Sequence, residues 1–179
     1  MKYLYILYVK TGYETSLVNS LRNRLDSNMF VPFVLTKEKL FKKNGDLKVE
    51  TEICFKSYIF IESNLSEKEF FIKITPTLKF FSNIYKILNY GDNTTIAVNE
   101  SERLSLMKLY GRKHCIENSK GFVEGDKIKV LAGPLSGKES IIKKINRHKR
   151  EAIIEIEIMG VIQKINVGLE IVKKVNKKN

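Results

Sequence analysis

Between Gly111 and Gly121 the chain carries one strong hydrophobe, Ile116, and no hydrophobic period. A stretch that long with so little to bury divides the chain into two parts, each of which must build its own core. The parts differ in kind. Ahead of the gap apolar residues recur at both strand and helix spacing, and after it only strand spacing is found. At 179 residues the chain is long enough for both cores. The expected class is α+β: an antiparallel sheet flanked by helices over residues 1–110, a linker at 111–121, and a small all-β barrel over 122–179.

Tyr3 to Val9 is aromatic and β-branched and reads as a buried central strand ending at Lys10-Thr11-Gly12. From Tyr13 the spacing turns helical. Leu17, Leu21 and Leu25 with Val18 form the apolar stripe, and Glu14, Arg22, Arg24 and Asp26 take the wet face. Thr11 or Thr15 supplies the cap and Asn28 the stop. Phe30 to Val34 is a short strand that Pro32 pushes to an edge or a bend. Lys42 to Asp46 is a turn between two strand arms, and Ile53 to Ile61 reads as one strand into the core. Ser66 with Glu69 makes a capping box for a helix through Ile74 that Pro76 ends. Phe80-Phe81 and Ile96-Ala97-Val98 are short extended pieces. Asn99 opens a helix whose stripe is Leu104, Met107 and Leu109.

Five strands are expected beyond the gap. Ile128 and Val130 alternate with Lys127 and Lys129. Ile141 to Ile145, Ile154 to Ile158, Ile162 to Val167 and Leu169 to Val175 follow. Charge separates the parts as well. Residues 1–120 hold 19 basic and 13 acidic side chains and residues 121–179 hold 13 and 7, so the shorter part carries half of the net +12. Asp126 to Arg150 alone has eight basic and two acidic side chains, which points to a polyanionic partner for that stretch.

Several function classes fall away. Cys54 and Cys115 stand too far apart for a zinc knuckle, and two cysteines make no disulfide framework. His114 and His148 are the only histidines, which leaves little for a metal site. Gly133 to Lys138 resembles a phosphate-binding loop, but only three residues separate its glycines, Glu139 follows the lysine, and strands follow rather than a helix. His114 and Cys115 are sequence neighbours, whose side chains point apart, and no third orienting group is found. No catalytic residue, metal or cofactor is expected. The apolar run in residues 1–10 is seven residues long and lacks a small-residue cleavage site, and no segment approaches the ~20 apolar residues of a spanning helix. The expected setting is the cytoplasm, without membrane contact, as a monomer.

Glu124-Gly125-Asp126-Lys127-Ile128-Lys129-Val130-Leu131-Ala132-Gly133-Pro134-Leu135-Ser136-Gly137, continuing to Met159-Gly160, resembles the KOW motif. The N-terminal part resembles the NGN domain of the NusG family of transcription elongation factors. It does so through Tyr5 to Glu14, Phe30-Val31-Pro32 and Phe55 to Ile61. Two positions depart from the family's pattern: Phe55-Lys56-Ser57-Tyr58 stands for aromatic-Pro-Gly-Tyr, and Tyr3 or Leu4 for a tryptophan. With the concentrated basic charge, these departures make the chain resemble a specialised paralogue, most of all the LoaP-type antiterminators.

The resemblance implies an NGN-type sheet followed by an SH3-like KOW barrel. It implies docking on the clamp helices of RNA polymerase through an aromatic depression lined by Phe55 and Tyr58 with Tyr8 nearby. The residues alone leave open whether these aromatics are simply core. It also implies that a nascent RNA hairpin is held by Lys127, Lys129, Ser136, Lys138, Lys144, Asn146, Arg147, His148, Lys149 and Arg150. Lys143 and Lys144 face opposite ways unless their strand bulges. Charge density alone does not separate an RNA surface from a solvated basic rim. A general elongation or pausing factor without RNA specificity and a ribosome-associated KOW protein are the alternatives.

Overall fold

The computed structural model describes residues 1–91, 94–125 and 127–172. Asp126 of the expected turn and residues 173–175 of the expected last strand lie outside them. In chain order the elements are β1 (Tyr3–Val9), α1 (Glu14–Arg22), β2 (Phe30–Phe33), β3 (Thr36–Lys43), β4 (Asp46–Ile53) and β5 (Tyr58–Ser63). Then come α2 (Glu67–Leu78), β6 (Ile84–Ile87), α3 (Glu100–Tyr110), β7 (Cys115–Ile116), β8 (Ser119–Glu124) and β9 (Lys127–Ala132). The last are β10 (Ile142–Asn146), β11 (Glu151–Ile158) and β12 (Val161–Ile171). The mixed α+β class stands. Among the described residues no helix is long and apolar enough to cross a membrane.

The chain forms two compact units. The first comprises Met1–Leu35, Ile53–Leu106 and Glu157–Val161. Its sheet runs β2-β5-β1-β6 with every pair antiparallel, so Pro32 does lie on an edge strand. Tyr5, Leu7 and Val9 of β1, with Ile59 and Ile61 of β5, share a core with Leu17, Val18 and Leu21 of α1 and with Phe70 and Ile74 of α2. Leu4, Ile6 and Phe60 point the other way and are buried too, which is why β1 reads as an unbroken apolar run. Tyr5 stacks on Phe70 at 3.6 Å between ring centroids and donates its hydroxyl proton to the Leu65 carbonyl at 2.7 Å. Burial pushes that phenol's pKa up.

Several local expectations change in this unit. Ile53 to Ile61 is not one strand: β4 ends at Ile53 and β5 begins at Tyr58, with Ser57 at φ 67° turning the chain between them. Neither Thr11 nor Thr15 caps α1; Tyr13 occupies the cap position without a side-chain bond, and the helix ends at Arg22, well before Asn28. Pro76 sits inside α2, which continues to Leu78, because a proline near the helix end forfeits only one backbone bond. Beside it the Thr75 hydroxyl donates to the Phe71 carbonyl at 2.6 Å. Phe80-Phe81 is a turn, and the extended piece lies at Ile84–Ile87. The buried stripe of α3 is Glu102, Leu106, Leu109 and Tyr110, while Leu104 and Met107 are exposed.

Glu102 explains that shift. Its carboxylate is 4% exposed and accepts the Met159 N–H at 2.9 Å, the Gly160 N–H at 3.0 Å and the Tyr90 hydroxyl at 2.8 Å. Met159 and Gly160 have φ of 53° and 74°, the two positive values of a tight hairpin turn joining β11 to β12. Burial pushes the Tyr90 phenol up to about 12.

The second unit comprises Thr36–Glu52, Met107–Ile156 and the described chain from Ile162 on. Asn44 and Gly45, with φ of 55° and 88°, join β3 to β4 as expected. β3 also pairs in parallel with β7, through Thr36↔Cys115 and Lys37↔Ile116, so the segment read as a linker carries sheet hydrogen bonds. A five-stranded sheet runs β10-β11-β12-β8-β9. Five strands were expected, but two of them merge into the single β12, and β8 comes from residues read partly as linker. Gly121 in β8 has a physical reason: a Cβ there would lie 2.7 Å from the Lys129 carbonyl oxygen.

The capping box at Ser66 gives a pH prediction. The Glu69 carboxylate accepts from the Ser66 hydroxyl at 2.6 Å and the Ser66 N–H at 3.0 Å, and these bonds hold its pKa below the usual carboxylate range. A lowered folded pKa contributes stability above the unfolded value and loses it as pH falls through the folded one. Thermal melts should therefore show Glu69→Gln less stable than the native chain at neutral pH. The gap should close as pH falls through that lowered pKa.

Candidate interaction surfaces

The first surface grows from the turn after β1. Lys10-Thr11-Gly12 reverses the chain, with Gly12 at φ 87°. Glu14, expected on the wet face of α1, is instead 1% exposed. One oxygen accepts the Gly12 N–H at 2.7 Å and the other accepts the Ser57 N–H at 2.7 Å. The hydroxyls of Thr11 and Ser57 share a hydrogen bond at 2.6 Å, and the Val9 N–H donates to the Ser57 carbonyl at 2.9 Å. These bonds clamp the end of β1 to the start of β5.

The clamp sets Tyr8 beside Tyr58, its register partner, at 6.2 Å between ring centroids. Tyr85 of β6 lies 5.5 Å from Tyr8 on its other side. Phe55 stacks on Tyr58 at 6.4 Å and meets Phe60 at 5.8 Å. Three of these aromatics were expected together, and the structure gathers them, but in unequal roles. Tyr8 is 38% exposed and Tyr58 half-buried, whereas Phe55 is 6% exposed. Phe55 backs the cluster from within the core, which corrects its expected place on the lining. Tyr85, 55% exposed, was missed because its strand was looked for at Phe80-Phe81. Tyrosines that show a ring face and keep a polar tip suit a protein interface.

The second surface lies in the second unit. A cavity of about 540 Å³ is lined by Val123, Arg147, Arg150 and Glu170, with Ile171 and Val172 beside them. A second, of about 380 Å³, shares Val123 and Arg147 and adds Lys143 and Lys144. Both lysines line it where the β10–β11 register shifts between Ile142 and Lys144, and the Lys143 ammonium lies 3.6 Å from the Glu155 carboxylate. Arg150 ends the turn at φ 53°, and its carbonyl accepts the Leu169 N–H at 2.8 Å, fixing the turn against β12.

The structure thus brings Lys144, Arg147 and Arg150 to one continuous groove. Asn146 shapes the turn instead, its side-chain oxygen accepting the Lys149 N–H at 3.0 Å. His148 and Lys149 are exposed on that turn. Lys127 and Lys129 share the exposed side of β9, where Lys129 pairs with Glu124 at 2.7 Å. Ser136 and Lys138 lie on the separate Gly133–Lys138 loop, where the Lys138 ammonium donates to the Pro134 carbonyl at 2.9 Å. None of these four lines either cavity. Glu170 was missed: in an alternating strand an isolated glutamate carries no signal.

The clamp and the cluster separate by mutation. Glu14→Ala strands two backbone N–H groups and should lower unfolding stability by roughly 2–5 kcal/mol. Phe55→Ala empties a core site and should cost about 3–5 kcal/mol. Tyr85→Ala should stay within about 0.5 kcal/mol of the native chain in the same denaturant titrations.

A family model described as NusG, transcription termination factor, matches residues 2–107. The chain is 21% identical over 182 residues to the transcription termination/antitermination protein NusG of Borreliella burgdorferi, covering 96% of this chain and 97% of that protein. It is 34% identical over 83 residues to the transcription elongation factor Spt5 of Methanocaldococcus jannaschii, covering 46% of this chain and 51% of that one.

Proposed function

From its membership of the NusG family we infer that the chain regulates transcription elongation as an antiterminator, a bound adaptor rather than a catalyst. The tyrosine surface of Tyr8, Tyr58 and Tyr85, backed by Phe55, docks on the clamp helices of RNA polymerase. The groove holding Lys144, Arg147 and Arg150 takes a hairpin of the nascent RNA. Lys127, Lys129, Ser136, Lys138, His148 and Lys149 add a surrounding positive field. In this reading residues 1–110 are an NGN-type domain, 122–179 a KOW domain, and 111–121 the connector. The protein acts as a monomer in the cytoplasm. Holding RNA and polymerase on one chain raises the effective concentration of each for the other and favours the processive state.

The observation that supports this most is the segregation of the two chemistries. All four aromatics fall inside the region matched by the family model, and every residue of the basic groove falls outside it. A protein that touched only polymerase has no use for Arg147, Arg150 and Lys144 gathered along one groove. That groove supports the specialised, LoaP-like reading over a general elongation factor. The end-to-end similarity to the Borreliella burgdorferi protein suits the general factor equally, so RNA discrimination decides between them.

Fluorescence anisotropy with a labelled hairpin, repeated across salt concentrations, makes that decision. Binding should weaken steeply with salt, and Arg147→Ala and Arg150→Ala should each flatten the log–log slope by about 0.7–0.9. A scrambled hairpin should bind more weakly than the cognate one. Equal binding of both leaves the general factor, and no binding to either removes RNA from the account.

A further inference from the structure

A purely phosphate-gripping groove has no use for a carboxylate, yet Glu170 lines the same cavity as Arg147 and Arg150. Its backbone pairs in register with Lys120 of β8, which fixes its place in the sheet. Among the described residues, Arg147, Arg150 and Glu170 have no ion-pair partner, either in one another or elsewhere. Three unpaired charges, two donors and one acceptor, therefore converge on about 540 Å³, a volume within the range of small-ligand pockets. Val123, Ile171 and Val172 supply apolar wall. The ligand that fits needs anionic groups, an apolar face, and hydrogen-bond donors set side by side.

An unpaired nucleotide has the first two features, and the third selects the base. A carboxylate only accepts hydrogen bonds, and its two oxygens match two parallel donors. Guanine alone presents adjacent N–H donors, N1–H and the N2 amine, on its Watson–Crick edge. Adenine and cytosine each place a ring-nitrogen acceptor beside one amine. Uracil places one N–H between two carbonyls, which a carboxylate repels. In a duplex the guanine edge is already paired, so the base must come from a loop, a bulge or an end.

We propose that this cavity is a guanine-recognition pocket for an unpaired nucleotide of the RNA. Glu170 accepts the Watson–Crick edge and Arg147 and Arg150 hold the flanking phosphates. Arg147 also lines the neighbouring cavity, so the backbone continues from it towards Lys143 and Lys144. The proposal rests on the RNA-binding reading and deepens it: the groove supplies affinity, and Glu170 supplies base choice.

The test uses the full chain and fluorescent hairpins that share one stem and a uridine loop carrying a single guanosine, inosine or adenosine. Inosine keeps N1–H and lacks only the N2 amine. The native chain should bind the guanosine loop about tenfold more tightly than the inosine loop, and adenosine more weakly still. With Glu170→Gln, guanosine and inosine loops should bind within about twofold of each other, while the salt dependence set by the arginines remains. If that variant fails to fold by circular dichroism, the base series on the native chain still decides. Equal affinity for all three loops, with salt-sensitive binding intact, overturns the guanine pocket and leaves the RNA reading standing. Loss of binding to every hairpin overturns both.

Discussion

The aromatic end of the first unit depends on one carboxylate. Glu14 spans 43 residues of sequence to reach the Ser57 N–H and holds the Gly12 N–H with its other oxygen. Both donors belong to backbone held at positive φ, where no regular ladder is available to satisfy it. The turn after β1 and the turn before β5 would otherwise each leave a part-buried amide without this partner. By satisfying both, Glu14 fixes the spacing of the two strand ends, and the tyrosines on those ends inherit that spacing.

The same device recurs. Glu102 accepts both amides of the Met159-Gly160 turn, where a non-glycine residue at positive φ is held in a sparsely populated conformation. Glu38 accepts the backbone N–H of Asn118 at 2.8 Å and its side-chain amide at 2.9 Å. Glu67 accepts the Ile96 N–H at 2.7 Å. Each ties segments far apart in sequence with a charge-assisted bond, roughly twice as strong as a neutral one. Of these glutamates, Glu14 and Glu102 are buried.

This is also where the sequence was hardest to read. A glutamate among lysines and polar residues looks like part of a solvated face, and nothing local marks Glu14 as buried, because its partner is remote. Features with local causes were legible: the β1 run, the Asn44-Gly45 turn and the Ser66–Glu69 capping box all rest on neighbours in sequence. Tyr58 and Tyr8 were placed together by resemblance, but Phe55 was misjudged, since the chain turns at Ser57 and sends that ring inwards. β8 was hidden because Gly121 weakens its pattern, although the close approach of Lys129 demands the glycine. The basic turn from Asn146 to Arg150 was visible as charge. The convergence of Arg147, Arg150 and Glu170 was not, because it needs β12 beside that turn.

In the proposed function the two surfaces serve different partners, the tyrosine rings a protein and the charged groove an RNA. Both are proposed to act together in one elongation complex. Reconstituted transcription across a terminator, with and without an upstream hairpin in the transcript, tests it most directly. The account predicts that added protein raises readthrough only when the hairpin is present. The gain should vanish for the Tyr8→Ala/Tyr85→Ala double variant and for the Arg147→Ala/Arg150→Ala double variant alike. Readthrough that persists without the hairpin, or survives loss of the arginine pair, would contradict it.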